Sequence, residues 1–241
     1  MKGKIEKVDP RLRLIICFVY SIIVAIEKNL DFIKYFSILP FFLLFFIENF
    51  KNFLKNFFII NFFILFFWVF LPFNIPGKPL YKIFIFSGTV EGVKYALLIT
   101  FKTNLIFITN FVLIFSSHPF KIIHALHHLH LPEKLINILF LTARYIPVIE
   151  NELNKIFKSL KARSFKFRTN LHTYKTIGNL VGILILRSYL KSDRIYKAML
   201  LRSFSGTFWI YNHFEWKKKD TLFSIMATIY FLWILILKIM D

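Results

Sequence analysis

The sequence predicts an all-α, polytopic membrane protein with about five transmembrane helices and long amphipathic helices on its cytoplasmic side. Apolar residues make up 57% of the 241 residues, phenylalanine alone contributes 33, and mean hydropathy is positive. An ordinary soluble domain is about half apolar and far less aromatic. The apolar residues gather in five runs that carry little or no charge, each a candidate span. The 32 lysines and arginines, against 13 acids, fall between those runs and crowd into residues 144–220. A net charge of +19 would also suit a nucleic-acid binder, but such a protein needs no apolar runs. Cys17 is the one cysteine, which excludes an intrachain disulfide and a thiolate metal cluster.

The basic start MKGKIEKVDPRLR leads into the first run, Leu14–Ile26. No small-x-small cleavage site follows, so it reads as a retained anchor that borrows Leu12 and a snorkelling Arg13. The second run, Phe32–Ile47, contains Pro40, and ENFKNFLKN at 48–56 is a short, mildly basic connection. The third, Phe57–Phe73, is uncharged, with Trp68 and Pro72 toward its end. NIPGKPLYK, with two prolines and a glycine, reads as a loop. A fourth run extends from Gly92 or Val93 to about Phe115, and Lys102 falls near its middle. A charge at that depth is costly and faces either a partner subunit or a partner within the bundle. The last run, Leu222–Ile239, follows Lys217–Lys219. The apolar stretch Ile177–Leu190 is a further segment able to dip into the membrane, and Gly178 and Gly182 have the spacing of close helix packing.

Five of the seven histidines lie at 118, 124, 127, 128 and 130. His124, His127 and His128 have i, i+3, i+4 spacing and share a helix face, as metal ligands do. The form His-x-x-His-His resembles one histidine box of membrane di-iron desaturases. About three boxes are needed to fill two iron coordination spheres. Here there is one, and His172 and His213 are isolated. No metal, cofactor or catalytic residue is assigned, and a desaturase-like metalloenzyme stands as the alternative function.

Residues 144–206 organise the chain. Ile149, Leu153, Ile156 and Leu160 step at three and four residues, with Glu150, Glu152, Lys155, Lys158 and Lys161 on other faces. Leu186, Tyr189, Leu190, Tyr196, Met199 and Leu200 trace a second stripe, interrupted at Asp193. The two helices end alike, in Lys161-Ala162-Arg163-Ser164-Phe165 and in Ala198-Met199-Leu200-Leu201-Arg202-Ser203-Phe204. Each arginine lies three residues past an apolar position and continues its stripe at a helix C-terminus, where the dipole favours a cation. A guanidinium so placed is suited to docking in an acidic or carbonyl-lined pocket. Snorkelling at a membrane surface is the other use of such an arginine.

These ends resemble the signatures of a known family, the transmembrane T component (EcfT/CbiQ-like) of energy-coupling-factor (ECF) ABC transporters, cobalt/nickel type. That family carries two Ala-Arg-Gly signatures at the ends of cytoplasmic coupling helices. The matching stretches here are TARYIPVIENELNKIFKSLKARSF and GNLVGILILRSYLKSDRIYKAMLLRSF, with DPRLRL, NIPGKPL, TVEG and HHLHLPEKL upstream. Both signature glycines are serines, Ser164 and Ser203. Serine stays small but is less free to adopt the left-handed conformation that ends many helices.

The resemblance implies a coupling subunit in the inner (plasma) membrane. Its partners would be two ABC-type ATPase subunits, a substrate-binding membrane S component and the lipid bilayer, with no nucleic acid. The substrate it implies is cobalt or nickel ion, with a vitamin as the alternative. ATPase coupling falls to Ala162, Arg163, Ser164, Ala198, Met199, Arg202 and Ser203. No Gly-x-x-x-x-Gly-Lys-Ser/Thr loop is present, so the chain is not expected to split ATP unaided, and no Ser/His/Asp set or carboxylate pair marks an enzyme. Three parts follow: N-terminal transmembrane helices at 1–116, a cytoplasmic coupling-helix region at 117–220, and a C-terminal transmembrane helix at 221–241. Sixteen lysines and arginines against five acids in 144–220 put that region inside.

Overall fold

The computed structural model describes residues 8–47, 50–76, 78–83, 86–115, 117–129, 131–208 and 216–240. His130, His213 and the basic stretch before Val8 lie outside the described residues. Helices dominate: α1 (Pro10–Ile26), α2 (Leu30–Phe36), α3 (Ile38–Leu44), α4 (Phe50–Asn74), α5 (Val90–Asn110), α6 (Pro119–His128), α7 (Glu133–Ala162), α8 (Leu171–Leu201) and α9 (Lys218–Met240). A two-stranded antiparallel hairpin, β1 (Pro79–Ile83) and β2 (Phe86–Thr89), stands between α4 and α5. Residues 1–125 with 213–241 form one compact unit and residues 126–212 a second.

In the first unit, α4, α5 with its continuation, and α9 are long and apolar enough to cross a membrane. The α1 helix has 17 residues, at the lower end of what crosses a bilayer, while the second run splits into two seven-residue helices, each short of that length. The break at Ser37 follows from Pro40. Proline has no N–H, so the carbonyl of Phe36, four residues earlier, loses its helical donor. Two hydroxyls replace it: Tyr20 donates to that carbonyl at 2.9 Å and Tyr230 at 3.2 Å. Three segments distant in sequence meet there, and Tyr20 and Phe36 are almost wholly buried.

Asp9 opens α1 as a side-chain cap, accepting from the Arg11 amide at 2.9 Å, with Pro10 in the first turn. Arg13, expected to snorkel, turns inward instead. It is 1% exposed, and its Nη1 donates to the Leu113 carbonyl at 3.4 Å. The reason lies in a π-helical turn, Phe111–Phe115, that ends α5 and leaves carbonyls in need of donors. Lys102 likewise finds its partner inside the bundle, donating to the Ala25 carbonyl at 2.9 Å.

The α4 helix takes in most of the stretch expected as a connection, starting at Phe50. It packs antiparallel to α5 through a reciprocal pair: Asn61 donates to Asn104 at 3.0 Å, and Asn104 returns a bond at 3.2 Å. Amide pairs of this kind fix register in an apolar environment. Trp68 donates to Thr100 at 3.0 Å, and Phe53 stacks on Phe107. At the far end a Cβ on Gly92 would lie 2.6 Å from the Pro72 Cα, so only glycine permits this approach. The stretch read as a loop after α4 contains β1, whose strand character the surrounding prolines and glycine concealed.

In the second unit, α7 has 30 residues and α8 has 31. Asn170 caps α8 by accepting from the Thr173 amide at 2.9 Å. Glu152 and Arg187 link the two helices at 3.7 Å. Little of either helix is covered: Ile136 and Ile156 are the buried residues of α7, and Thr173 that of α8.

Candidate coupling site at the two helix ends

The two signature segments adopt the same backbone. Ser164 has φ 56° and Ser203 φ 59°, and they are the only non-glycine residues with positive φ among the described residues. Each is the left-handed residue just past a helix. At the end of α7 the Phe165 amide reaches the Leu160 carbonyl at 3.1 Å and the Ser164 amide reaches Lys161 at 3.0 Å. At the end of α8 the Phe204 amide reaches Met199 at 3.1 Å and the Ser203 amide reaches Leu200 at 3.0 Å. This pair of crossed bonds is the Schellman closure, which satisfies the last carbonyls of a helix and normally uses glycine at the left-handed position. Serine occupies it twice here, at a cost of order 1 kcal/mol each.

The closure places Arg163 and Arg202 at the last half-helical position, with φ −86° and −97°. Both arginines are exposed, as are Ala162, Ser164, Ala198 and Ser203, while Met199 is half-buried. Neither guanidinium carries an ion pair or side-chain hydrogen bond among the described residues, so their donors are open to another molecule. The phenylalanine after each serine is half-buried and packs on the returning chain, Phe165 against Phe167 and His172, Phe204 against Phe208. A hydrophobic contact from this position is the usual companion of the closure.

The surroundings of the two ends differ. Beside the first, an open groove is lined by Lys155, Lys158 and Lys161 with Phe157 and Phe167. Beside the second, the chain after α8 folds back on α7: Asn137 donates to the Gly206 carbonyl and Phe140 meets Phe208. The space between is lined by Arg144, Tyr145, Met199, Arg202 and Thr207 among others. Sequence reasoning passed over Arg144. It lies inside the TARYIP stretch but outside both apolar stripes, and only the fold-back brings it to the second signature.

The second stripe is largely uncovered, whereas in the first Ile156 is buried and Leu153 and Leu160 are half-buried. Ile149 is 39% exposed, and Leu186, Tyr189, Leu190, Tyr196 and Leu200 are all exposed. A Cβ placed on Gly178 or Gly182 would meet nothing within 4 Å. Among the histidines, the rings of His127 and His128 lie 5.7 Å apart, and the described residues hold no group of three metal-binding side chains.

The family described as CbiQ, cobalt transport protein, matches residues 1–211. The chain belongs to this family. Its members are transport proteins rather than enzymes, which sets aside the histidine-box metalloenzyme and agrees with the resemblance carried by the two signatures. An uncharacterised protein of Methanocaldococcus jannaschii is 31% identical over 66% of the chain and 57% of its own length. The chain thus spans little more than half of that relative. An energy-coupling factor transporter transmembrane protein of Leuconostoc gelidum is 26% identical over 83% of the chain and 79% of its own length. One of the same description from Limosilactobacillus fermentum is 22% identical over 90% and 87%.

Proposed function

We propose that the chain is the transmembrane coupling subunit of an energy-coupling-factor importer in the cell's inner membrane. Two ATPase subunits dock at the cytoplasmic ends of α7 and α8, close on ATP, and move these helices. The motion passes to a separate substrate-binding membrane subunit. The observation that carries this reading is the duplicated cap, in which two long amphipathic helices end in one backbone geometry and each presents an exposed arginine without an ion-pair partner among the described residues. A surface used once has no need to be built twice.

Exposed apolar residues of α8, among them Val181, Ile185 and Tyr189, with the open Gly178 and Gly182, form the face assigned to the substrate-binding subunit. In lipid, small residues let a second helix approach closely. The family description supports cobalt as the substrate, with nickel as its chemical neighbour. The ligands that select the ion belong to the partner subunit.

The test replaces Arg163 and Arg202 together by glutamate and follows ATP-driven uptake of cobalt in intact cells. Uptake is expected to vanish while the chain remains in the membrane. Uptake at the unaltered level contradicts the docking reading.

A further inference from the structure

The fold-back after α8 borders an open cavity of about 410 Å³ lined by two exposed arginines, Arg144 from α7 and Arg202 from the end of α8. Among the described residues, no aspartate or glutamate lines it. Elsewhere between the same two helices an arginine does find an acid, Arg187 with Glu152 at 3.7 Å. The cavity lining also includes apolar Met199, Phe204 and Phe208 and the hydroxyl side chains of Ser203, Ser205 and Thr207. Arg144 leans on the Tyr145 ring at 5.8 Å, which orients its planar fork. Two like charges around one partly apolar space repel each other, and an anion between them turns that cost into a gain.

We infer that this cavity seats one acidic side chain of the ATPase subunit that docks at α8, held jointly by Arg144 and Arg202. The inference rests on the coupling reading above and adds a second arginine to one of its two ends. Charge complementarity selects a carboxylate, and the apolar lining selects one carried on a side chain that brings methylene groups with it. The end of α7 has no counterpart: its groove holds lysines, which are point charges without a planar fork. The two ends therefore grip their partners differently although their caps match.

The test uses the full chain in phosphatidylcholine nanodiscs with its ATPase subunits, and measures their affinity for the native chain and for Arg144→Gln, Arg202→Gln, the double variant and Arg144→Lys. Each glutamine variant is expected to weaken binding at least about tenfold, with the double variant little worse than either single, because both arginines hold one group. Arg144→Lys, which keeps the charge and serves as the folding control, should recover part of the loss. Unchanged affinity in Arg144→Gln, or losses that simply add, overturns the shared seat. So does a result in which Arg144→Gln weakens binding to vesicles containing phosphatidylglycerol but not to the ATPase subunits, since the anion is then a lipid phosphate. The coupling reading fails separately, if Arg163→Glu with Arg202→Glu leaves ATPase binding intact.

Discussion

Lys238 reaches Glu27 at 2.9 Å, joining the end of α9 to the end of α1. At their beginnings the same two helices meet again, where buried Asp220 accepts from the Asp9 amide at 2.8 Å and from the Lys217 amide at 2.9 Å. The helices therefore run parallel and are pinned at both ends. Together these contacts tie the last helix of the chain to the first.

The ion pair makes stability depend on pH. Burial opposes ionisation of Glu27, but the hydrogen bonds from Lys238 and from the Asn29 and Lys28 amides outweigh it and hold the carboxyl below its ordinary value. A carboxyl lowered in the folded state stabilises it above the unfolded value, and that contribution is lost as pH falls through the folded one. Thermal melts in detergent should therefore show a drop below the ordinary carboxylate range that Glu27→Gln lacks. With Lys238 half-exposed, the loss at neutral pH in Lys238→Met is about 1 kcal/mol.

The Phe36 carbonyl gives a coupled set. Tyr20→Phe and Tyr230→Phe each remove one of its two donors, and the double variant leaves a buried carbonyl bare. Each single change is expected to cost about 1 kcal/mol and the pair more than the sum. Pro40→Ala restores an N–H at the position that would feed this carbonyl, so Tyr20→Phe should cost less in that background. A double-mutant cycle on melting temperatures measures the difference.

Gly92 and Gly182 are predicted to behave in opposite ways. Alanine at 92 would press on the α4 backbone and destabilise by about 1–3 kcal/mol. Alanine at 182 meets open space and leaves the isolated chain at least as stable, since alanine is the better helix former. If the substrate-binding subunit packs on this face, Gly182→Leu lowers its recovery with the chain while the melting temperature holds.

The serine caps carry strain that glycine would relieve. Ser164→Gly and Ser203→Gly should each stabilise by about 0.5–1 kcal/mol, the left-handed cost offset in part by glycine's greater unfolded entropy. Valine at either position, branched at Cβ, should destabilise instead. Circular dichroism melts distinguish the two.

The long apolar helices were legible because a membrane span is written as a long apolar run: α4, α5 and α9 all stand where such runs lie. The arginine ends were legible because their helices are amphipathic. What the sequence hid depends on contacts made at a distance. Phe32–Ile47 looks continuous, yet Pro40 divides it once two tyrosines arrive to take the freed carbonyl. Arg13 sits at a span's edge like any snorkelling residue, and only the π-helical turn of α5 gives it an inward partner. Serine in place of glycine disguises the caps, since nothing local marks it as left-handed. Arg144 lines one cavity with the second signature through a fold-back that no helical period reveals.

The most direct measurement places cysteines beside the two arginines, as Ala162→Cys and Ala198→Cys, where both positions are exposed and the one native cysteine, Cys17, is buried. In inside-out membrane vesicles, a short bifunctional cross-linker should join both positions to ATPase subunits, with the arginines left intact. Vesicles that retain ATP-driven release of preloaded cobalt from their lumen yet give no ATPase adduct at either position would contradict the account.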